Sequence, residues 1–274
     1  MHPILFNIGP FPISSFGMML VIAFLMGNYL LRKDVMEEGY EPVVAEDITF
    51  RAMFGGILGA KIYYLIEIPI EQASININGL TEIIAGIFTL SIVRISAGIQ
   101  NFGAGLVFLG GFIGGLFMVS WYVYRNKLSW LKVADWVAPF LVLGHGIGRI
   151  GCFLVGDDYG IPSTLPWAFA FPQGLPPTNI PVHPTQLYEM SAYFAIFFYL
   201  RYRKRNQHFP GELIFEYLFL AGFSRFMVEF IRTNTKYLFD LSGAQYLSVL
   251  MMTLGAFQMW KMRSLISPTV RDAV

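Results

Sequence analysis

The sequence predicts an all-α polytopic membrane protein of about seven transmembrane helices, with its N-terminus outside and its C-terminus cytoplasmic. Three observations carry this. Of 274 residues, 55% are hydrophobic and 14% charged, against about 25% charged in an ordinary soluble domain. Seven apolar stretches approach the roughly 20 residues that a helix needs to cross the hydrocarbon layer. Twelve of the nineteen Lys and Arg residues fall in alternate connections between those stretches, as expected when basic residues are retained on the cytoplasmic side.

The first stretch, 14–31, has no basic region before it and no small-residue cleavage pattern after it, so it reads as a retained helix. Arg32 and Lys33 follow it. The second, 48–68, returns to the outside, and the third, 102–124, is followed by Arg125, Lys127 and Lys132. The fourth covers 133–155, and the fifth, 185–201, ends in Arg201, Arg203, Lys204 and Arg205. The sixth and seventh, 211–229 and 243–261, lead to Lys261, Arg263 and Arg271. The opposite side holds Arg94, Arg232 and Lys236, and Arg51, Lys61, Arg149 and Arg225 lie within spans. An eighth crossing at 83–97 would move the tetrabasic loop outside. The segment is short and carries Arg94, so an interfacial or re-entrant element is expected there.

The chain is thus expected to form a single transmembrane domain over 1–274, with outer loops near 69–101 and 156–184. The second loop contains Pro162, Pro166, Pro172, Pro176, Pro177 and Pro181, which forbid a long helix and favour an extended, ordered path. A formal charge of +1 leaves no global basic or acidic bias, so nucleic acid is not an expected partner. The single cysteine, Cys152, excludes an intramolecular disulfide and a zinc site of several thiolates. No cofactor or metal is expected.

Four segments carry candidate chemistry. Arg149 lies in the apolar run 136–155, where an ionised group costs about 2.5 kcal/mol on insertion scales and must be offset by pairing or by a ligand. The block from Gly148 to Gly160 follows it with Asp157 and Asp158, joining a guanidinium suited to anions with carboxylates that can act as a base. An Arg–Asp pair that only fixes a helix end is the alternative. In the sixth span, Arg225 and Glu229 are four residues apart and Arg232 is three further on, so all three share a helix side. Either a structural ion pair or a clamp for a phosphodiester fits; two guanidinia at one depth favour the clamp. His183, opening the run His183 to Glu189, can titrate near neutral pH or serve as a cap. Lys61 follows Gly55, Gly56 and Gly59, which with Gly110, Gly111, Gly114 and Gly115 suit close helix packing. Its ammonium either snorkels outward or adds charge to the same cavity.

Together these blocks resemble the prolipoprotein diacylglyceryl transferase family, in order from about Ile8 to Trp260. The matching segments are Ile8-Gly9-Pro10, Gly59-Ala60-Lys61, Gly110-Gly111, the Gly-Arg signature at 148–160, His183 to Glu189, and Arg225 to Arg232. The resemblance implies a seven-span enzyme of the bacterial cytoplasmic (inner) membrane whose site faces outward. It implies transfer of a diacylglyceryl unit from phosphatidylglycerol to the lipobox cysteine thiol of preprolipoproteins, the first step of lipoprotein maturation. Arg149 and Arg225 match signature arginines, so they are implied catalytic and headgroup ligands, with Asp157 and His183 as further catalytic candidates. Glu229, Arg232, Lys61 and Gly160 are the other implied headgroup contacts.

The family commonly has tyrosine where Phe16 stands, histidine at Leu109, asparagine at Cys152 and Val155, and glutamate at Asp157. Two groups often assigned to substrate activation are therefore replaced here, and His145, His183 and Asp157 are the candidates for a substitute base. Cys152 beside an arginine is a further candidate, as a covalent acceptor. A divergent homologue using the same lipid cavity for another acceptor, or a non-catalytic lipid or protein binder, are the competing readings.

Overall fold

The structure, a computed structural model, describes residues 1–9, 11–103, 105 and 107–265. Pro10 and Arg271, used above in the family match and the charge pattern, lie outside the described residues, as do positions 104 and 106 of the third stretch. The helices found are α1 (Ser15–Glu37), α2 (Val43–Glu67), α3 (Ile70–Phe88), α4 (Ile92–Gly103), α5 (Phe108–Arg125), α6 (Trp130–Val155), α7 (Thr185–Arg203), α8 (Glu212–Glu229) and α9 (Gly243–Leu265). Four short strands accompany them, β1 (Ile4–Ile8), β2 (Phe11–Ser14), β3 (Phe169–Phe171) and β4 (Thr178–Val182). Among the described residues, α1 and α6 are long and apolar enough to cross a membrane by length and composition alone. The stretches at 48–68, 185–201, 211–229 and 243–261 overlap α2, α7, α8 and α9, whereas the third, 102–124, begins at the end of α4 and continues in α5.

Two compact units are present. The first comprises residues 1–5, 14–39 and 129–274, and the second residues 6–13 and 40–128. In the first, α6 is the central helix and packs on α1, α7 and α8, while α9 packs on α8. Asp135 near the start of α6 accepts from the backbone N–H groups of Gly211 (2.5 Å) and Ile214 (3.0 Å). It thereby satisfies donors that the first turn of α8 leaves without intrahelical partners. At the far end of α6, Gly156 takes the left-handed conformation (φ 80°) that terminates the helix.

The second unit pairs α2 with α5 and α3 with α4. Glycines govern both contacts. A Cβ on Gly59 would overlap the Gly110 carbonyl and stand 2.9 Å from the Gly114 Cα, and one on Gly55 would reach the Gly114 carbonyl at 2.5 Å. These obstacles are backbone, so they cannot rotate away. Gly59→Ala should therefore cost roughly 1–3 kcal/mol through overpacking. The check is thermal unfolding in detergent against Gly144→Ala, whose added methyl meets nothing within 4 Å; equal melting temperatures for the two would refute the packing account.

The outer loop expected near 69–101 is mostly helical. The interfacial segment expected at 83–97 is divided between α3 and α4 by a turn in which Leu90 takes φ 53°. The polar run Glu71 to Asn78 hides α3 from an apolar search, and no Pro or Gly marks the turn. Close packing decides the structure here: a Cβ on Gly98 would meet the Gly79 carbonyl at 2.6 Å, and one on Gly86 the Ile95 backbone nitrogen at 2.8 Å. The second outer loop does follow an extended path, with β3 and β4 paired antiparallel.

Candidate active site

Because α6 and α8 end where α7 begins, three helix termini of the first unit meet at one end. Arg149 lies in the last two turns of α6, Glu189 in the second turn of α7, and Arg225 and Glu229 in the last turns of α8. Arg232 and Asp158 lie just beyond α8 and α6. The result is a centre of three guanidinia and three carboxylates.

Arg149 donates from Nη1 to Asp158 Oδ2 (2.7 Å) and places Nε 2.8 Å from Glu189 Oε2. Arg225 binds Glu189 Oε1 through Nη1 (2.7 Å) and Glu229 Oε2 through Nη2 (2.8 Å). Arg232 Nη2 is 2.5 Å from Asp158 Oδ1, with Glu229 Oε2 at 3.6 Å from Nε and Glu189 Oε2 at 3.8 Å from Nη1. Asn234 Nδ2 (2.5 Å) and Ser242 Oγ (2.7 Å) donate to the other oxygen of Glu229. Glu189 and Glu229 are fully desolvated, at 0% and 1% side-chain exposure, whereas Asp158 is 42% exposed. Charges this deep are tolerated because each is paired, Glu189 with two arginines and Glu229 with Arg225 and the Asn234 and Ser242 donors.

The loop after α6 is anchored by its backbone. Thr185 Oγ1 donates to the Asp158 carbonyl (2.6 Å), and Gln186 Nε2 donates to that of Asp157. The Gly160 N–H donates to the His183 carbonyl (2.9 Å) and that of Ile161 to the Ile231 carbonyl (2.9 Å). A Cβ on Gly160 would overlap the Ile231 carbonyl, so glycine is required here by chain-to-chain approach. Asp158 itself sits at φ 62°, a left-handed conformation that aspartate tolerates better than most residues.

The two neighbouring carboxyls differ. Burial, reinforced by the charge of Asp158, pushes the Asp157 carboxyl above its ordinary value. For Asp158 burial acts in the same direction, yet Arg232 and Arg149 outweigh it and hold the carboxyl below the usual range. Cys152, Asp157 and Asp158 bring their ligand atoms within 4.8 Å of one another. The Arg149 guanidinium lies 3.6 Å from Cys152 Sγ and pairs with Asp158, so the cluster repels cations and suits an anion.

Of the residues singled out from the sequence, Arg149, Arg225, Glu229 and Arg232 converge in this centre. Gly160 shapes its loop. Asp157 stands beside Cys152 at its edge, and the carboxylate that engages Arg149 is its neighbour Asp158. His183 adjoins the loop through its backbone, while its Nδ1 lies 3.2 Å from the Tyr188 hydroxyl, which also accepts from Trp167 Nε1 (2.8 Å). His145 lies between the tilted rings of Tyr193 and Tyr217 (centroids 5.5 and 6.2 Å). Lys61 belongs to the second unit, where its ammonium donates to Asn76 Oδ1 (2.5 Å) and the Phe102 carbonyl and lies over the Tyr64 and Phe102 rings. Asp158 was named only as one of two adjacent carboxylates, and Glu189 only as the end of the run from His183. The signal for Glu189 was available: it is the only acidic residue of α7, and a lone carboxylate in an apolar helix needs a cation.

The family model described as prolipoprotein diacylglyceryl transferase matches residues 3–261. A protein of Clostridium tetani named phosphatidylglycerol–prolipoprotein diacylglyceryl transferase is 33% identical over 261 residues, covering 94% of this chain and 96% of its own. One of the same name from Aeromonas salmonicida is 30% identical over 267 residues, covering 94% of this chain and 89% of its own.

Proposed function

Because the chain belongs to the prolipoprotein diacylglyceryl transferase family, we propose that it transfers a diacylglyceryl group from phosphatidylglycerol to a cysteine thiol of a prolipoprotein. The observation that carries this reading is the three-arginine centre, which is closed on its buried side by Glu189 and Glu229 and bounded on its exposed side by Asp158. In the reaction the thiol sulfur attacks the glyceryl carbon bound to phosphate. The carbon–oxygen bond breaks, a thioether forms and glycerol phosphate leaves.

Charge that develops on the departing phosphate is met by guanidinia, which stay protonated and donate from a fixed planar fork. Arg149 and Arg232 are suited to this because an N–H of each points at the most exposed carboxylate of the centre. Arg225 supports them from below through Glu189 and Glu229, and Gly160 lets the loop approach. The thiol proton goes to a carboxylate or imidazole at the rim. Asp157 suits this role because burial and Asp158 raise its proton affinity, and His183 is the second candidate.

The lipobox is the proposed recognition element of the acceptor. The proposed setting is a single seven-span domain in the bacterial inner membrane, N-terminus outside and C-terminus cytoplasmic, supported by the alternation of basic connections along the chain. On that topology the arginine centre faces outward, where secreted acceptors emerge. Purified protein incubated with phosphatidylglycerol and a lipobox peptide is expected to give a thioether-linked diacylglyceryl peptide, read by mass spectrometry. A peptide that stays unmodified in the presence of folded protein would overturn the reading.

A further inference from the structure

We propose that Asp158 is a displaceable counter-ion occupying the seat of the headgroup phosphate, and that this exchange makes the centre selective for monoanionic phosphodiesters. The inference rests on the phosphatidylglycerol reading above and adds to it the position of the phosphate and the residue that competes for it.

The three carboxylates of the centre are not equivalent. Glu189 is wholly buried and bridges Arg149 and Arg225. Glu229 is equally buried and holds Arg225, Asn234 and Ser242. An incoming anion cannot replace either without stranding a desolvated charge. Asp158 is 42% exposed, and each of its oxygens takes one N–H from a different arginine, Oδ2 from Arg149 (2.7 Å) and Oδ1 from Arg232 (2.5 Å). The two non-bridging oxygens of a phosphodiester can accept the same pair of donors.

Its departure requires little rearrangement. Thr185 and Gln186 hold the carbonyls of Asp158 and Asp157, and the Gly160 and Ile161 N–H groups tie the following residues to neighbouring chain. Rotation of the Asp158 side chain alone therefore uncovers both arginines while the loop stays in place.

Charge sets the selectivity. With Asp158 engaged, the three guanidinia are paired with three carboxylates; with Asp158 turned out, Arg149 and Arg232 lose one anionic partner that they shared. One phosphodiester replaces that partner charge for charge. A phosphomonoester brings excess negative charge beside buried Glu189 and Glu229, and a zwitterionic headgroup brings its own ammonium to the arginines. Both fit less well.

The test is lipid binding to the full-length protein in nanodiscs, measured beside transfer activity. Asp158→Asn keeps the shape of the side chain and removes its charge. Phosphatidylglycerol should then bind roughly tenfold more tightly, as when a competing closed state is removed, with KM falling in step. Asp158→Glu keeps the competing charge and should bind like wild type. Unchanged or weaker binding by a folded Asp158→Asn protein, or equal tightening by Asp158→Glu, would overturn the proposal. Should Asp158→Asn fail to fold, Asp158→Ala also removes the competing charge and is expected to bind phosphatidylglycerol more tightly than wild type; unchanged binding by the folded Asp158→Ala protein would refute the exchange. Binding reports on Asp158 and thioether formation reports on the transfer reading, so failure of one is seen apart from failure of the other.

Discussion

Replacing Arg149 by alanine is expected to lower transfer at least 100-fold, the scale on which removal of one preorganised donor acts on a developing anion. The change removes the N–H that Asp158 now accepts and leaves Glu189, which is 0% exposed, with Arg225 as its nearest remaining partner. Arg149→Lys keeps the charge but cannot span Asp158 and Glu189 from one planar group, so its rate should fall between those of wild type and alanine. Initial rates with phosphatidylglycerol and a lipobox peptide, taken beside melting temperatures, separate chemistry from folding. A folded Arg149→Ala protein with wild-type rates would remove this arginine from the reaction.

Glu189→Ala should have the largest effect on stability. The carboxylate binds Arg149 and Arg225 at 2.8 and 2.7 Å, with Arg232 at 3.8 Å, and is shielded from water. Its removal leaves three guanidinia around an apolar gap, a break of a buried pair that costs about 3–5 kcal/mol. Glu189→Gln retains a carbonyl acceptor of nearly the same size and should recover part of that loss while still misplacing Arg149. Thermal unfolding in one detergent gives the comparison. If Glu189→Ala melts with wild type, the carboxylate does not hold the centre together.

The positions that sequence reasoning found and missed have a common physical basis. Arg149 and Arg225 were legible because a charge in an apolar helix is costly and therefore conspicuous, and Glu229 and Arg232 because a spacing of four and three residues continues the side of Arg225. Glu189 was hidden in a run that also reads as a polar helix start, Thr185-Gln186-Leu187-Tyr188-Glu189. Asp157 and Asp158 are adjacent and chemically alike, and the backbone conformation of the loop decides which one faces the arginines. At φ 62°, with its carbonyl held by Thr185, Asp158 turns its carboxylate to Arg149 and Arg232, and Asp157 is left beside Cys152.

The same division runs through the fold. Apolar runs are properties of the linear chain, so the sequence by itself determined where the helices other than α3 and α4 form and the extended course of 156–184. The spacing of small residues also marked α2 and α5 for close packing, whereas helix α3 and the turn at Leu90 depend on Gly79, Gly86 and Gly98 meeting backbone elsewhere in the chain, which no local pattern encodes. Only the tertiary structure decided that three helix termini converge, and with them which carboxylates are buried beyond exchange and which one stands exposed between two arginines.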